Sequence, residues 1–329
     1  MKKICTKPFK KIEISSDGKV YTCCPSYINK SYYIGNILSD DVSTVDDIWN
    51  SKIAQEIRNN ILNEDYSMCN LNLCRERFLE DDTGYTTTPP LPEYVTLAYD
   101  RQCNIQCITC RDQKIKDDKK NIELYDKKMD SILLPLLNNA RIISLSGSGE
   151  AFYSKHTRDL IKKLTRLNST VKFQIYTNGL LFDKNNCKQL GLENRIESVY
   201  FSIHALNETI YKKIMVGSNL KVVLKNLTWA AQQQRSGDFE GVTINTVISA
   251  INYQEIPELI ELAKCLDISI SFSIYVPWGT NLDASYSKYA IWEKEHPEHL
   301  LFVEILQKIK EINYNKCILP PSFLNLMNI

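Results

Sequence analysis

The sequence has no apolar run long enough to cross a membrane. The nearest approach, residues 131–137, is short and interrupted by Pro135, whereas a spanning helix needs about 20 apolar residues. The basic N-terminal residues lack the apolar core of a signal peptide. Positive and negative residues number 40 and 39, so no excess charge favours nucleic acid or an anionic surface. We therefore predict a cytoplasmic protein that binds neither membranes nor nucleic acids.

Histidine is scarce, with 4 residues, and we expect His156, His296 and His299 at the surface. Cysteine, in contrast, is plentiful and unevenly distributed. Eight of the 11 cysteines precede residue 111, and the other three, Cys187, Cys265 and Cys317, are isolated. An odd number of cysteines in a chain without an export signal argues against a disulfide framework and for metal or redox chemistry. The clustering of the early cysteines indicates metal-binding sites.

A segment rich in Thr and Pro, residues 83–94, separates two blocks of sequence. This composition predicts an extended, fairly stiff linker. In the first block, Asp17-Gly18 predicts a β-hairpin, and residues 43–64 have the capping residues and apolar spacing of a helix. We predict a small hairpin-plus-helix domain over 1–85, a linker over 86–92, an α/β core over 93–280, and a C-terminal helix and tail over 281–329.

In the second block, β-like runs alternate with helical stretches. Such alternation predicts right-handed βαβ units and a parallel sheet. Six strands are too few for a closed eight-stranded barrel, which leaves an open partial barrel or a doubly wound sheet. The strands are predicted at 94–99, 141–146, 172–176, 198–203, 242–248 and 269–275.

Three cysteines, Cys103, Cys107 and Cys110, follow the first of these strands. Three thiolates at this spacing can hold one metal centre, although four-iron clusters and structural zinc normally take four protein ligands. The spacing alone leaves open what fills the fourth position. Polar or glycine-rich residues also follow the next three strands, at 146–152, 177–179 and 202–205. In parallel α/β folds, loops after the strands build the active site.

In this order, the motifs resemble those of the radical S-adenosylmethionine (radical SAM) superfamily. Residues 103–110, CNIQCITC, are similar to its CxxxCxxC motif, and residues 146–152, SGSGEAF, to its glycine–glutamate motif. Residues 176–179 and 200–214 resemble the third and fourth strands of the subgroup that carries auxiliary clusters. The resemblance covers about 93–280 and implies an α/β fold with a partial (β/α)6 barrel of the TIM type.

The resemblance also implies the cofactors and their ligands. Cys103, Cys107 and Cys110 would hold a [4Fe–4S] cluster and leave one iron for S-adenosylmethionine, whose cleavage gives a 5′-deoxyadenosyl radical that takes a hydrogen atom from substrate. The residue before the last cysteine is often aromatic in the family, and here it is Thr109. The resemblance also places Asn178 at the S-adenosylmethionine site. The other implied contacts are Ser146, Gly147, Ser148, Gly149 and Glu150 at the methionine ammonium, Ser202 and His204 near the ribose or carboxylate, and Tyr275 near adenine.

A second set of cysteines lies in the first block. Cys5, Gly18 and Cys23, at the spacing Cys-x12-Gly-x4-Cys, resemble the first half of a SPASM or twitch auxiliary-cluster domain, which here precedes the barrel. The resemblance implies a second [4Fe–4S] cluster, whereas zinc accepts four thiolates equally well. The implied ligands are Cys5, Cys23, Cys69 and Cys74, with Cys24 as an alternative to Cys23.

Family frequency favours a ribosomally made peptide as substrate, with hydrogen abstraction leading to a crosslink, an epimerisation or an oxidation. We then expect flavodoxin or ferredoxin as electron donor, a separate leader-peptide-binding protein as a further partner, and Cys317 as a candidate hydrogen-atom donor. An alternative substrate is a small molecule, such as a sugar or aminocyclitol oxidised at a carbinol carbon. A hypothesis of another class is a non-catalytic iron–sulfur or zinc protein that senses redox state or binds a partner.

Overall fold

The computed structural model describes residues 3–72, 74, 79–81, 83–115, 118–145, 149–277 and 283–327. The chain forms two compact units. The first comprises Met1–Gln102, Asp117–Gln174 and Leu190–Arg195, and the second comprises Cys103–Lys116, Ile175–Gln189 and Ile196–Ile329. The domain boundaries predicted at 85, 93 and 281 do not coincide with these units and stay a prediction.

The N-terminal block contains a hairpin flanked by short helices. Residues 11–14 and 19–21 pair antiparallel, and Gly18 between them has a φ of 80°, which glycine adopts without strain. The hairpin predicted at Asp17-Gly18 is confirmed. The elements are β1 (Lys3–Cys5), α1 (Lys7–Lys10), β2 (Lys11–Ile14), β3 (Lys19–Tyr21), β4 (Gly35–Asn36), α2 (Asp46–Trp49), α3 (Lys52–Leu62) and β5 (Leu79–Asp81).

The single helix predicted over 43–64 is in fact two helices, α2 and α3. The break falls at Ser51, which has an extended backbone and whose hydroxyl accepts a hydrogen bond from the amide of Ala54. Serine stabilises a helix as its N-cap better than as an interior residue, because its hydroxyl satisfies an amide that has no partner within the helix. The periodicity continues across Ser51, so the pattern alone did not show the break.

Residues 94–190 follow the predicted linker and contain the first three strands of the predicted core. In the first unit the strand order is β4-β3-β2 followed by the strands at 94–97 and 142–145, which pair parallel with their neighbours. The strand at 172–177 contributes residues to both units. The elements are β6 (Tyr94–Leu97), β7 (Gln106–Cys107), α4 (Lys119–Lys127), a π-helical turn (Met129–Leu133), α5 (Leu134–Leu137), β8 (Ile142–Leu145), α6 (Lys155–Leu167), β9 (Lys172–Thr177) and α7 (Lys184–Leu190).

The second unit holds four parallel strands and their covering helices. The strand order is β10-β12-β13-β14, all parallel, and β11 pairs antiparallel with β7. The elements are β10 (Ile196–Ser202), α8 (Glu208–Ile214), β11 (Met215–Val216), α9 (Leu220–Ser236), β12 (Phe239–Ile248), α10 (Ile256–Leu266), β13 (Ser269–Ile274), α11 (His299–Ile312), β14 (Cys317–Ile318) and α12 (Pro321–Leu326).

The six strands predicted for the core are all present, each within a few residues of its predicted bounds. The α/β class with a mostly parallel sheet is therefore confirmed. Among the described strands, β4 and β14 are edges rather than members of a closed ring, as expected for a partial barrel. No helix in the described ranges combines the length and apolar character needed to span a membrane.

Candidate functional site

The three cysteines of the CxxxCxxC motif lie in one loop of the second unit, which backbone hydrogen bonds hold in place. The amide of Cys103 donates to the carbonyl of Ile115 at 2.8 Å, and the amide of Cys110 donates to the carbonyl of Cys107 at 3.1 Å. Cys107 also pairs with Met215 in the antiparallel ribbon of β7 and β11. These bonds fix the backbone conformation of the loop that carries the three thiols.

Two side chains donate toward the sulfur atoms of this loop. Nδ2 of Asn178 lies 3.8 Å from Sγ of Cys103, and Nη2 of Arg111 lies 3.5 Å from Sγ of Cys110. Hydrogen-bond donors and a positive charge favour the thiolate, which is the form that binds metal. Cys103 and Cys107 are half-buried and Cys110 is exposed. The donor set therefore fits a thiolate-bound cluster with a position left for another ligand.

Asn178 is placed by the turn that ends β9. Gly179 has a φ of 78°, and the amide of Leu180 donates to Oδ1 of Asn178 at 3.1 Å, so the turn orients the asparagine side chain. Its Nδ2 then donates to Oδ1 of Asn104 at 2.7 Å. Buried Asn226 also stabilises the turn, because its side-chain amide donates to the carbonyl of Gly179 at 2.8 Å. The sequence YTNG thus encodes a turn that presents an amide to the cysteine loop.

The glycine–glutamate motif lies partly outside the described residues, which do not include Ser146, Gly147 and Ser148. Gly149 and Glu150 are described and belong to the first unit. A Cβ added at Gly149 would lie 2.6 Å from the carbonyl oxygens of Asp100 and Gln102, which is too close for any side chain. The amide of Glu150 donates to the carbonyl of Gln102 at 2.8 Å. Only glycine permits this approach of two backbone segments.

Gly149 and Glu150 line a pocket of about 360 Å³ in the first unit. The side chain of Glu150 is buried, and its Oε1 accepts a hydrogen bond from the amide of Phe152 at 3.3 Å. A buried carboxylate beside a pocket is suited to bind a cation such as an ammonium group, because pairing offsets the cost of burying the charge. The other lining residues are Leu97, Tyr99, Asp100, Leu145, Ala151 and Thr157.

A buried network beside this pocket was not apparent from the sequence. The hydroxyl of Tyr99 lies 2.6 Å from Nε2 of His156, and Nδ1 of His156 lies 2.6 Å from Oδ1 of Asp126. His156 is only 2% exposed, and His299 is also buried, so the prediction that both lie at the surface is wrong. The available signal was helical spacing, since His156 precedes Leu160 by four residues on the buried face of α6.

One face of the parallel strands in the second unit is polar. Ser202, Asn245 and Ser271 are neighbours in register on β10, β12 and β13, and the rings of Tyr176 and Tyr200 stack with centroids 4.4 Å apart. All five residues are half-buried. Parallel sheets are usually apolar on both faces, because helices cover them. An uncharged polar face therefore indicates a surface that contacts a ligand.

His204 lies just beyond β10 and is buried. Its Nδ1 accepts a hydrogen bond from the amide of Val247 at 3.2 Å, and its carbonyl accepts one from Asn252 at 2.7 Å. Burial lowers the pKa of the imidazole to about 4. His204 is therefore neutral at neutral pH, with the proton on Nε2, and only Nε2 is left to face a ligand.

Two further candidates lie on β13 and β14. Tyr275 directly follows β13 and is buried, with its ring centroid 6.1 Å from that of Tyr286. Cys317 stands opposite buried Ile270 in the parallel ladder, and burial raises the pKa of its thiol to about 11. Because residues paired in register share a face, Cys317 lies on the apolar face and not on the polar one. The adenine contact of Tyr275 and hydrogen donation by Cys317 stay predictions.

The cysteines of the N-terminal block surround a second pocket of the first unit, with a volume of about 430 Å³. Cys5, Cys23, Cys69 and Cys74 all line it, and Cys24 is not among the lining residues of the described chain. Desolvation raises the pKa of the Cys23 thiol to about 12, and the Lys7 ammonium opposes that rise. The other lining residues are Lys7, Pro8, Thr22, Tyr27, Ile28, Ile57, Ile61, Tyr66 and Leu71.

Hydrogen bonds and one β-bridge fix the positions of three of these four cysteines. The amide of Cys5 donates to the hydroxyl of Tyr66 at 3.3 Å, and Cys69 forms an isolated antiparallel bridge with Ile28. The amide of Cys74 donates a hydrogen bond to the carbonyl of Asn70 at 2.9 Å. A pocket with four thiols and apolar walls fits the ligand set of a four-iron cluster.

Within the described residues, no three His, Cys, Asp or Glu side chains come close enough to hold a single metal ion. In a four-iron cluster each thiolate binds a different iron, so its ligands stand farther apart than the ligands of one ion.

Two protein-family models match this chain. The radical SAM superfamily model matches residues 100–263, and the SPASM iron–sulfur cluster-binding domain matches residues 5–75. The chain belongs to the radical SAM superfamily. The two matches contain both cysteine sets, and they confirm that the iron–sulfur domain of this radical SAM protein precedes the barrel. Membership implies a [4Fe–4S] cluster and S-adenosylmethionine, and the SPASM domain implies auxiliary iron–sulfur binding.

Relatives of known activity include enzymes named GTP 3′,8-cyclase. The enzyme of Clostridium botulinum is 27% identical over 191 residues, which cover 56% of this chain and 57% of the relative. That of Limosilactobacillus fermentum is 23% identical, over 60% of this chain and 59% of the relative. The match thus spans little more than half the length of these relatives.

Two solved structures are similar to this radical SAM protein at a TM-score of 0.45. Streptococcus suis SuiB bound to its precursor peptide SuiA has a TM-score of 0.45 at 17% identity, over 100% of this chain and 75% of SuiB. Coproporphyrinogen III oxidase (HemN) from Escherichia coli has a TM-score of 0.45 at 14% identity, over 67% of this chain and 51% of that chain.

Proposed function

We propose that this protein uses S-adenosylmethionine to abstract a hydrogen atom from a ribosomally made peptide. When bound, the cluster supplies an electron that cleaves the sulfonium, and the resulting 5′-deoxyadenosyl radical takes the hydrogen. The observation that carries the proposal is the thiol loop of Cys103, Cys107 and Cys110, where Asn178 and Arg111 donate toward sulfur. We propose that these cysteines hold the cluster and that the two donors stabilise the thiolates.

The chain's own groups also suit S-adenosylmethionine. We propose that Glu150, buried beside its pocket, accepts hydrogen bonds from the methionine ammonium, and that Gly149 leaves room for the close backbone approach. Ser202 lies on the polar face of the second unit, and the neutral imidazole of His204 can donate from Nε2. We assign both to the ribose or carboxylate, and Tyr275 to adenine.

We propose that Cys5, Cys23, Cys69 and Cys74 hold a second [4Fe–4S] cluster. Support comes from their shared pocket, which Cys24 does not line in the described chain. Four thiolates saturate such a cluster, so its role is electron transfer and not direct ligation of substrate. We further propose that the protein works in the cytoplasm, where thiols stay reduced and flavodoxin or ferredoxin supplies electrons.

The polar face of the second unit supports a neutral substrate. Among the described strands β10, β12 and β13, the half-buried residues of this face are Ser, Tyr, Asn, Gly and Val and include no charged side chain. Serine, asparagine and stacked tyrosines match peptide amides and side chains. A triphosphate, in contrast, is usually recognised by Arg and Lys. A peptide is therefore favoured, with a separate leader-peptide-binding protein as a proposed partner.

A small-molecule substrate is the second candidate. The relatives named GTP 3′,8-cyclase favour it, since their name specifies a nucleotide. The hydroxyl and amide groups of the polar face would equally suit a sugar or an aminocyclitol. Assays with GTP, with sugars and with short peptides encoded by neighbouring genes separate these substrates.

The test is anaerobic reconstitution of the full chain, followed by iron analysis and a reductive assay. We expect about eight irons per chain, as two four-iron clusters require, and formation of 5′-deoxyadenosine after reduction. Cys107→Ala should abolish 5′-deoxyadenosine, whereas Cys265→Ala, at an exposed thiol, should not change it. Mass spectrometry then distinguishes loss of two hydrogens, deuterium uptake from solvent, or no change in the peptide. Bound zinc with no cleavage would instead support a non-catalytic sensor.

A further inference from the structure

The pocket surrounded by Cys5, Cys23, Cys69 and Cys74 is also lined by two polar groups that are not proposed as cluster ligands. They are the ammonium of Lys7 and the hydroxyl of Thr22. Apart from the thiols and two tyrosines, the remaining lining residues are apolar: Pro8, Ile28, Ile57, Ile61 and Leu71.

The hydroxyl of Thr22 is fully buried and has no hydrogen-bond partner within the described chain. Thr22 is 0% exposed, and its Oγ1 is an unpaired buried atom. Leaving a buried hydroxyl unpaired is unfavourable relative to pairing it. Thr22 lies directly before Cys23 and just beyond β3, so the strand fixes its position at the pocket wall. An acceptor inside the pocket would satisfy this hydroxyl.

The ammonium of Lys7 is also buried against this pocket. Lys7 is 2% exposed, and its Nζ lies 5.6 Å from the centroid of the Tyr27 ring, which lines the same pocket. A cluster bound by four thiolates carries net negative charge, which increases when the cluster takes up an electron. Lys7 is therefore placed to interact more strongly with the reduced cluster than with the oxidised one.

We propose that Lys7 and Thr22 are positioning residues that raise the reduction potential of a cluster held by these four cysteines. The proposal rests on the assignment of a second cluster to this pocket. A nearby positive charge and a hydrogen bond to sulfur both stabilise the more negative, reduced state. Together they would make the auxiliary cluster a better acceptor of one electron from a substrate radical, which releases a proton and completes a two-hydrogen oxidation.

The test is a potentiometric titration followed by electron paramagnetic resonance. It uses the full chain carrying Cys107→Ala, so that the auxiliary signal is read alone. In this background, Lys7→Met and Thr22→Val should each lower the reduction equilibrium constant about tenfold, a shift of 59 mV for a one-electron couple. Lys30→Met and Thr86→Val, at exposed positions that do not line the pocket, should leave the potential unchanged.

The outcomes separate this inference from the proposed function. If no second cluster forms in the parent protein, the cluster assignment fails. If the cluster forms and neither substitution shifts its potential, Lys7 and Thr22 do not tune it and the inference is overturned. If Lys7→Met fails to load iron, the reduction potentials of Thr22→Val and Thr22→Ser are compared instead. Serine keeps the hydroxyl and should keep the parent potential, whereas valine should lower it. Without iron, Thr22→Val should be as stable as the parent or more so, since it removes an unpaired polar atom.

Discussion

The side-chain amide of Asn178 donates a 2.7 Å hydrogen bond to Oδ1 of Asn104, the residue that follows the first cysteine of the cluster loop. The same Nδ2 lies 3.8 Å from Sγ of Cys103. One amide thus both anchors the loop and stabilises a thiolate. The turn that holds Asn178 is itself fixed by Gly179, so the orientation of the amide depends on the local backbone.

Replacing Asn178 should weaken the cluster site without unfolding the protein. We expect Asn178→Ala to slow 5′-deoxyadenosine formation about tenfold, the value of one hydrogen bond to a charged group. Asn178→Asp should be worse, because a second negative charge beside the Cys103 thiolate is repulsive. The measurements are iron content and the initial rate in the reductive assay. A double-mutant cycle with Asn104→Ala checks the contact, and additive effects would show that the two side chains act separately.

Gly149 should not tolerate a side chain. Gly149→Ala would place a methyl group 2.6 Å from two backbone carbonyl oxygens, and the loop must shift to relieve the clash. We expect at least a tenfold loss of S-adenosylmethionine affinity in calorimetry, with a fall in Tm of a few degrees, since each 1 kcal/mol corresponds to about 2–4 °C in larger domains. Gly237→Ala is the control, because its φ of 85° makes a side chain unfavourable while its new Cβ would meet nothing within 4 Å, so it should lower Tm and leave the affinity unchanged. Equal affinity in the two variants would contradict the role of Gly149.

Features encoded by local spacing were predictable from the sequence. The motif that resembles CxxxCxxC located the cluster loop, and alternation of β-like and helical runs located all six core strands. Asp17-Gly18 predicted its hairpin, because few residues other than glycine adopt a φ of 80°. In each case the information lies within a few residues of chain.

Features that depend on contacts between distant residues were not predictable. His156 is polar and near other polar residues in sequence, but Tyr99 and Asp126 provide partners that make its burial favourable. The choice between Cys23 and Cys24 is an intermediate case, because the spacing after Gly18 favours Cys23, but which side chain faces the pocket depends on the folded chain. The Thr/Pro segment predicted as a linker has a structural role, since Trp49 donates to the carbonyls of Pro89 and Pro90 at 3.1 and 3.0 Å.

Arg58 should contribute strongly to the stability of the N-terminal block. It is fully buried, its Nε donates to the carbonyl of Pro8 at 2.9 Å, and its Nη1 donates to the carbonyl of Thr87 at 2.9 Å. Its Cζ lies 4.1 Å from the ring centroid of Trp49. Burial lowers the pKa of the guanidinium to about 10, so it stays charged at neutral pH.

We expect Arg58→Met to reduce the free energy of unfolding by about 2–5 kcal/mol, because the buried carbonyl of Pro8 and the partly buried carbonyl of Thr87 lose their partners. Arg58→Lys keeps the charge but not the fork-shaped geometry, and it should cost less. Urea denaturation followed by tryptophan fluorescence measures both. A methionine variant as stable as the parent would show that packing, and not hydrogen bonding, dominates at this position.

His204 should make stability depend on pH in a defined window. Its pKa is lowered from an ordinary value of 6.5 to about 4, so between these values the unfolded chain binds a proton that the folded protein does not. Stability therefore falls as the pH drops from about 6.5 to about 4, by about 3 kcal/mol for this group, and does not fall further below that.

His204→Asn retains an oxygen that can accept from the Val247 amide but cannot titrate. The variant should be less stable at pH 7, and its deficit should shrink by about 3 kcal/mol at pH 4. Denaturation at each pH gives the difference in unfolding free energy between the variant and the parent. Ring resonances of His204 that titrate near pH 6.5 would contradict its burial as a neutral imidazole.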